Sequence, residues 1–397
     1  MFAGAAMWTF FVAFQWFTLD VSDSSGWVGI MTFASMIPFL VVSPFGGLMA
    51  DLIDRRTLAQ LMLLASFIVT AALAALVISG AVKLWHVAAL AFLGGAFRAV
   101  QEPTISALIP NQVPRSVLLN AITLNAATRH GARFFGLLIG APLLAVPSIG
   151  VAGVLVLSAL LAAVSTLLMS LVRTASRGDE RAGQGVASDM AKGIWAGLAY
   201  IYTNKPIALF IIMVALHCAL VMSFDSILPV FTETSLGATD GSTLGWLVMG
   251  IGAGSLVGTL LLAGVRDEKT KGQLLVWTGL FSGITPMAMA LSFNVPLGIA
   301  ASVGMGISQA TFMALTSTYV QSLAPDRLRG RISSLYILHA GGIMAFANLG
   351  YGFIADSFSA PPILLITGVA FVAVVLALGF GQPILRRVYR TGQVAPA

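Results

Sequence analysis

Gly46-Gly-Leu-Met-Ala-Asp51-Leu-Ile-Asp54-Arg55-Arg56 stands between two apolar runs, near 26–49 and 57–80. Each run is close to the ~20 residues a helix needs to cross a bilayer. A connection this short turns the chain straight back, and its basic pair gives the turn a side of the membrane. Outward from it the pattern repeats. Runs near 2–19, 85–108, 117–145 and 149–172 complete one set of six. Runs near 206–231, 243–265, 272–292, 296–322, 332–355 and 361–385 form a second. The loops between them alternate in charge. One set holds Arg55, Arg56, Arg115, Arg173, Arg177, Arg181, Lys192, Lys205, Arg266, Lys269, Lys271, Arg327, Arg329, Arg331, Arg386, Arg387 and Arg390; the other holds Lys83 with Asp20, Asp23, Glu233, Asp240 and Asp356. This asymmetry predicts a multi-pass membrane protein with both termini cytoplasmic.

Composition excludes most other classes. Of 397 residues, 58% are hydrophobic and only 9% charged, against roughly a quarter charged in soluble domains. The 41 glycines suit closely packed transmembrane helices. The net charge of +6 belongs to the basic loops and points to anionic lipid headgroups, not nucleic acid. Cys218 is the single cysteine, so no internal disulfide forms and no cysteine metal site is expected. No Gly-x-x-x-x-Gly-Lys-Ser/Thr loop offers an ATP site, and no His-Glu-x-x-His motif suggests a metalloenzyme. No cofactor and no enzymatic activity are expected.

The chain divides into an N-terminal six-helix bundle at 1–172, a cytoplasmic linker at 173–205 and a C-terminal six-helix bundle with a short tail at 206–397. Residues 173–187 are polar and flexible in composition. From Ser188, a plausible N-cap, the apolar positions Met190, Ile194, Trp195, Leu198 and Ile201 predict an amphipathic helix along the inner membrane surface. The halves echo each other. Leu108-Ile-Pro110-Asn-Gln-Val-Pro-Arg115 opens span five and Leu323-Ala-Pro325-Asp-Arg-Leu-Arg329 opens span eleven; Pro110 and Pro325 share their offset with Val113 and Leu328, and Asp51 and Asp267 share nearly the same one. A repeated six-span unit points to a transporter with its path between the halves.

Charges inside the spans are costly and mark function. Span four carries Arg98, Gln101 and Glu102, with Arg98 and Glu102 four apart on one face and able to pair. That pair either faces a cavity or only locks helices together. Span five carries Asn125, Arg129 and Arg133 on one face. By position Arg133 lies too deep to snorkel, so it must meet a cavity, a carboxylate or an anionic substrate. Span seven holds His217 and Asp225, the best-placed intramembrane carboxylate. His217, His130 and His339 are each either packed side chains or titrating groups, and His86 beside Trp85 reads as an interfacial anchor. Span one is aromatic (Trp8, Phe10, Phe11, Phe14, Trp16, Phe17), and its middle offers Gln15 but no carboxylate. Gln309, Thr316, Tyr319 and Asn348 line a cavity or bond between helices.

The span two–three connection resembles the Gly-x-x-x-Asp signature with a basic pair found in the major facilitator superfamily. Arg98-Ala-Val-Gln101-Glu102 resembles its Arg-x-x-Gln-Gly signature, with Glu102 where glycine is usual. Span five resembles the glycine-rich antiporter signature, but Gly136 is followed by Leu137 and proline comes only at Pro142. Leu84-Trp85-His86, Leu108–Arg115, Leu228-Pro229-Val230-Phe231 and Arg327-Leu-Arg329-Gly330-Arg331 are similar to the branch that contains the enterobactin exporter. The resemblance implies an all-α membrane fold of twelve transmembrane helices in two pseudo-symmetric six-helix bundles. It also implies a conformational latch of Gly47, Asp51, Arg55 and Arg56 with Arg329 and Arg331 as candidate partners. Members of the family normally carry a basic leader before span one; here Met1 stands almost inside that span with no basic residue before it, a departure that leaves a misassigned start or a truncation open.

The function expected is secondary active export of a small amphipathic, acidic or siderophore-like metabolite by alternating access. Arg98, Gln101, Glu102, Arg129, Arg133, His217 and Asp225 are the candidates for substrate binding or proton coupling. Its partners would be that small molecule, the proton as coupling ion and the membrane lipids, with the protein a monomer. A broad-specificity drug efflux pump and a lysophospholipid flippase are the alternatives.

Overall fold

A computed structural model describes residues 1–42, 49, 53–109, 112–114, 118–172, 186–325 and 328–394. Gly47, Asp51, Pro110, Arg115 and Arg327, and with them most of the expected latch loop, lie outside the described residues. The fold is all-helical among those described. The first half comprises α1 (Phe2–Ser22), α2 (Ser25–Val41), α3 (Arg55–Ile78), α4 (Leu84–Leu108), α5 (Leu118–Leu144) and α6 (Gly150–Ser170). After α7 (Val186–Thr203) the second half follows. Its elements are α8 (Lys205–His217), a π-helical turn (Cys218–Met222), α9 (Leu228–Leu236), α10 (Ser242–Ala263), α11 (Glu268–Ala290), α12 (Val295–Leu323), α13 (Arg329–Phe358), α14 (Ala360–Gly381) and α15 (Pro383–Thr391). Eight of the described helices are long and apolar enough to cross a membrane. With α2, α4, α5 and α11, and with α8, the π-turn and α9 taken as one span, the described helices give the twelve spans of the fold.

Three local expectations are corrected. The span expected at 206–231 is not one helix: residues 223–227 are non-helical, and α9 starts afresh with Pro229 in its first turn. Ser188 does not cap α7, which is already helical at Val186. The partner of Asp267 in the repeat is Asp54, not Asp51. Asp54 caps α3, accepting from the Thr57 amide at 2.9 Å and hydroxyl at 3.1 Å. Asp267 caps α11, accepting from the Thr270 amide at 2.8 Å and hydroxyl at 2.6 Å. Those bonds hold the Asp267 carboxyl below the ordinary aspartate range. A carboxylate at an N-cap satisfies an orphan amide and complements the helix dipole, so both halves start their third helix by one device.

Among the described residues, the basic loop residues lie at one end of the bundle and the acidic ones at the other, as the alternation of the helices requires. The halves meet where α2 packs along α13 and α5 along α10. Small residues make this possible. A methyl group at Gly352 would stand 2.5 Å from the Ser25 carbonyl oxygen and 2.9 Å from the Gly29 Cα; one at Gly252 would stand 3.0 Å from the Phe134 amide nitrogen. At the acidic end Asp356 of α13 reaches across to the start of α2. Its carboxylate accepts from the Ser25 amide at 2.6 Å, the Ser24 hydroxyl at 2.8 Å and the Gly26 amide at 3.1 Å. A negative charge at a helix N-terminus is a favourable and directional contact. The apolar core that bridges the halves lies towards this same end: Phe14, Trp16, Met31 and Leu137 pack with Phe224, Phe231, Leu244 and Ile251. Towards the basic end, Phe210, Phe312, Ile332 and Phe371 belong to a core confined to the second half.

Gly352→Val is expected to cost about 1–3 kcal/mol through overpacking, and Asp356→Ala about 0.5–2 kcal/mol by removing a capping acceptor from the start of α2. Both should lower the thermal midpoint of detergent-solubilised protein, measured by intrinsic fluorescence. An unchanged midpoint in both would contradict this account of the interface.

Candidate functional site: a charged cavity between the halves

A cavity of about 790 Å³ lies between the two halves. Its lining runs from Met1, Ser106, Asn125 and Thr259 at the basic end inward to Phe14, Phe224 and Asp225. Beyond those residues the bridging apolar core closes the way. The first half contributes Arg98, Gln101 and Glu102 from α4 and Arg129, His130 and Arg133 from α5; the second contributes Asp225, Ser255, Gln309 and Met344. Six of the seven expected site residues are thus brought together. His217 is not. It is fully buried against Phe312 and Phe371, with ring centroids 4.6 and 5.0 Å away, and neither ring nitrogen has a partner among the described residues.

The arginines are held by aromatic rings rather than by carboxylates. Arg133 stands over the Trp8 ring at 4.0 Å, and Arg98 over Phe39 at 5.1 Å. A guanidinium over a ring face is attracted by the ring quadrupole, more strongly where water is excluded. Nε of Arg98 and both Nε and Nη2 of Arg133 are buried without a hydrogen-bond partner among the described residues. The expected Arg98–Glu102 pair shares a face, as its spacing requires, yet no salt bridge joins the two. Arg98 turns to Phe39 instead, and both side chains remain open to the cavity. Arg133 and Asp225 are near enough for their charges to interact, again without a salt bridge among the described residues. Unpaired donors and a buried carboxyl thus stand in one hollow, an arrangement chemically able to meet a charged or polar group.

Asp225 reaches the cavity because the seventh span is interrupted. A break in a spanning helix frees backbone groups that lipid cannot satisfy. Here side chains satisfy them. Tyr351 donates to the Ala219 carbonyl at 2.8 Å, and the Gln309 amide to the Val221 carbonyl at 2.9 Å. The Gln15 amide donates to the Asp225 carbonyl at 2.9 Å, and the Ser226 amide donates to the Asn348 side-chain oxygen at 3.0 Å. Gln15, Gln309 and Asn348 are all buried. Sequence reasoning missed the role of Gln15 and placed Gln309 and Asn348 only as polar residues. The signal was the polar run Ser223-Phe-Asp-Ser226 followed by Pro229 within an apolar stretch.

The latch arginines lie apart from this cavity. Arg55 donates to the Ala107 carbonyl at 3.4 Å and Arg56 to the Ser170 carbonyl at 3.0 Å. Arg329 donates to the Gln321 carbonyl at 3.2 Å. Arg331 is exposed and lies beside Gly197 of α7, which also ties to α13 through a Tyr202–His339 hydrogen bond of 2.9 Å.

Two pseudo-symmetric six-helix bundles around a central cavity that carries charged side chains define a membrane carrier of the major facilitator fold. Residues 1–385 match the family described as transmembrane secretion effectors of the major facilitator type, and the chain belongs to that family. It is a multi-pass membrane transporter and not an enzyme. The chain is 22% identical over 339 residues to macrolide efflux protein A of Streptococcus pyogenes, covering 82% of this chain and 80% of that protein. It is 30% identical over 105 residues to the staphyloferrin A transporter of Staphylococcus aureus (strain NCTC 8325 / PS 47), a match spanning 26% of each. The chain therefore spans about a quarter of that siderophore transporter. Among solved structures, a D-xylose–proton symporter superposes with a TM-score of 0.73 at 12% identity over 99% of this chain and 98% of that one. A POT family transporter in complex with 5-aminolevulinic acid gives 0.73 at 12% over 97% and 96%. These likenesses show the fold.

Asn348→Leu would leave the Ser226 amide without its acceptor inside the protein. It is expected to cost about 1–3 kcal/mol and to raise hydrogen exchange in 218–228 above that of α12. Unchanged exchange there would contradict the bracing described.

Proposed function

We propose that this protein exports a small amphipathic metabolite across a bacterial inner membrane by alternating access. The basic end is the cytoplasmic side, as the arginine-rich loops require, and both termini lie there. The cavity then opens to the cytoplasm, and the state described is the one that loads substrate. Residues 1–172 and 206–397 are the two moving bodies, and 173–205 tethers them.

The observation that carries the reading is the joint presence of Arg98, Arg129, Arg133 and Asp225 on one cavity between the halves. Arginine forks suit carboxylates and other planar anions. Trp8, Phe10, Phe11 and Phe14 beside them suit the apolar part of an amphipathic molecule. Proton antiport places a further demand on the substrate. It must compete with the proton for Asp225. An anion bound at Arg133 alone would take away the countercharge of that carboxylate and so favour protonation, which is the opposite linkage. A molecule that places an anionic group on the arginines and a hydroxyl or ammonium donor on Asp225 excludes the proton. Siderophore-like acids bearing hydroxyl groups have this combination.

A second reading is broad drug efflux. The specific observation in its favour is the methionine and aromatic lining (Met7, Met222, Met313 and Met344 with the phenylalanines of α1), since such adaptable apolar surfaces accept varied ligands.

Inverted membrane vesicles with a pH gradient, acid inside, decide between them. Hydroxyl-bearing acidic compounds should accumulate in vesicles carrying the protein. Arg133→Leu should reduce their transport about tenfold or more, as loss of one buried charged contact worth ~1.5–3 kcal/mol implies, and Arg133→Lys less. Asp225→Asn should abolish the gradient dependence while leaving exchange without a gradient. Accumulation of lipophilic cations but not acids would favour the second reading. Accumulation unaffected by collapse of the gradient would remove the proton from the mechanism.

A further inference from the structure

The interrupted segment of span seven is braced from both halves, but unequally. Gln309, Asn348 and Tyr351 all belong to the second half and move with it. Gln15 belongs to the first. Its amide nitrogen also bonds to the Thr32 hydroxyl of α2 at 3.2 Å, so the amide is fixed to the first half by its own backbone and by a neighbouring helix. It is 1% exposed, and it meets the backbone of the very residue whose side chain enters the cavity. Among the described residues this is the direct side-chain hydrogen bond from the first half to the broken segment.

We propose that Gln15 is a positioning residue that ties the presentation of Asp225 to closure of the acidic end. The proposal rests on the alternating-access, proton-coupled reading given above. While the acidic end is shut, Gln15 holds the Asp225 carbonyl, the turn at 225–227 is fixed, and the carboxyl is presented towards Arg133. When the halves part at that end, α1 leaves the broken segment. The carbonyl loses its donor, and the turn that sets the carboxyl is released. The carboxyl is thereby presented differently in the two states of the carrier, which is what a coupling site requires. Gln15 itself carries no charge and takes no proton.

The charged and titratable groups around Asp225 are few. Arg133 of α5 is near enough for its charge to act on it, without a salt bridge. Arg98 and Glu102 of α4 and Arg129 and His130 of α5 line the same cavity, while the described cavity-lining side chains of α10, α12 and α13 are uncharged. His217, on its own span, faces Phe312 and Phe371 instead.

The test needs no known substrate. Spin labels are placed on Ser79→Cys and Phe293→Cys, both exposed at the acidic end and on opposite halves. The native Cys218 is buried and out of reach of the label. Distances are measured by pulsed electron resonance on the full chain in lipid nanodiscs between about pH 8 and pH 4, a span that covers both ordinary carboxyls and those raised by burial. The parent should redistribute between a short and a long distance with pH, and Asp225→Asn should abolish that response. Gln15→Met, of similar length but without the donor, should shift the balance towards the long distance by about fivefold, the change one net hydrogen bond carries. It should also shrink the pH response to that of Asp225→Asn. Gln15→Asn, which keeps the donor one methylene short, should behave in the same way and serves if the methionine variant does not fold. A full pH response in both Gln15 variants would overturn the proposal and leave the proton reading standing. No pH response in the parent would overturn the proton reading and this inference with it.

Discussion

An interrupted membrane helix has to find partners for its backbone inside the protein, and that requirement organises this structure. Between Cys218 and Ile227 the seventh span leaves α-helical geometry, first as a π-turn and then as a non-helical stretch, and the bilayer offers nothing in return. Buried amides from α1, α12 and α13 and a tyrosine hydroxyl take up the freed groups. The break lets Asp225 project into the central hollow, where a continuous helix would fix its direction by the pitch alone. Each brace is worth little by itself, yet any one left unpaired in an apolar surround would cost more than the bond contributes. The segment is therefore determined by its neighbours rather than by its own sequence.

The same logic separates the two ends of the molecule. At the acidic end close backbone packing at Gly29 and Gly352, the Asp356 carboxylate on the start of α2 and a shared aromatic core join the halves. Towards the basic end the second half keeps its apolar core to itself, and the cavity takes the place of a shared one. Aromatic rings hold Arg98 and Arg133 in that cavity without consuming their hydrogen-bonding edges. A guanidinium already paired with a carboxylate would have little left for a ligand. One stacked on a ring keeps its donors free.

Much of this was legible in the sequence, for a physical reason. Lipid admits so few backbone arrangements that hydropathy alone yields the spans, and the sorting of basic residues pairs them into two sets of six. Arg98, Arg129 and Arg133 followed from the cost of burying charge. What escaped was decided by contacts between distant segments. The break in span seven lies in an apolar run, and only Ser223, Asp225, Ser226 and Pro229 hinted at it. Gln15 lies 210 residues from its acceptor, beyond any local pattern. Arg98 and Glu102 share the predicted face, but ring stacking and the open cavity won over their pairing. The Asp54 cap was within reach, since Asp-x-x-Thr recurs at Asp267; the nearby Asp51 drew attention from it. His217 was grouped with the site because it shares a span with Asp225, although eight positions and a π-turn point it into the aromatic interior.

The central claim is that the break delivers position 225 into a positively charged hollow reached from the basic end. Thiol reactivity of Asp225→Cys tests it most directly. Membrane-impermeant methanethiosulfonate reagents are applied to inverted vesicles, which expose the arginine-rich loops, and to right-side-out vesicles. The account predicts modification from the arginine-rich side, faster with the anionic ethylsulfonate reagent than with the cationic trimethylammonium one, while a cysteine replacing His217 stays unmodified. Modification of Asp225→Cys solely from the opposite side, or equal protection of both positions, would contradict it.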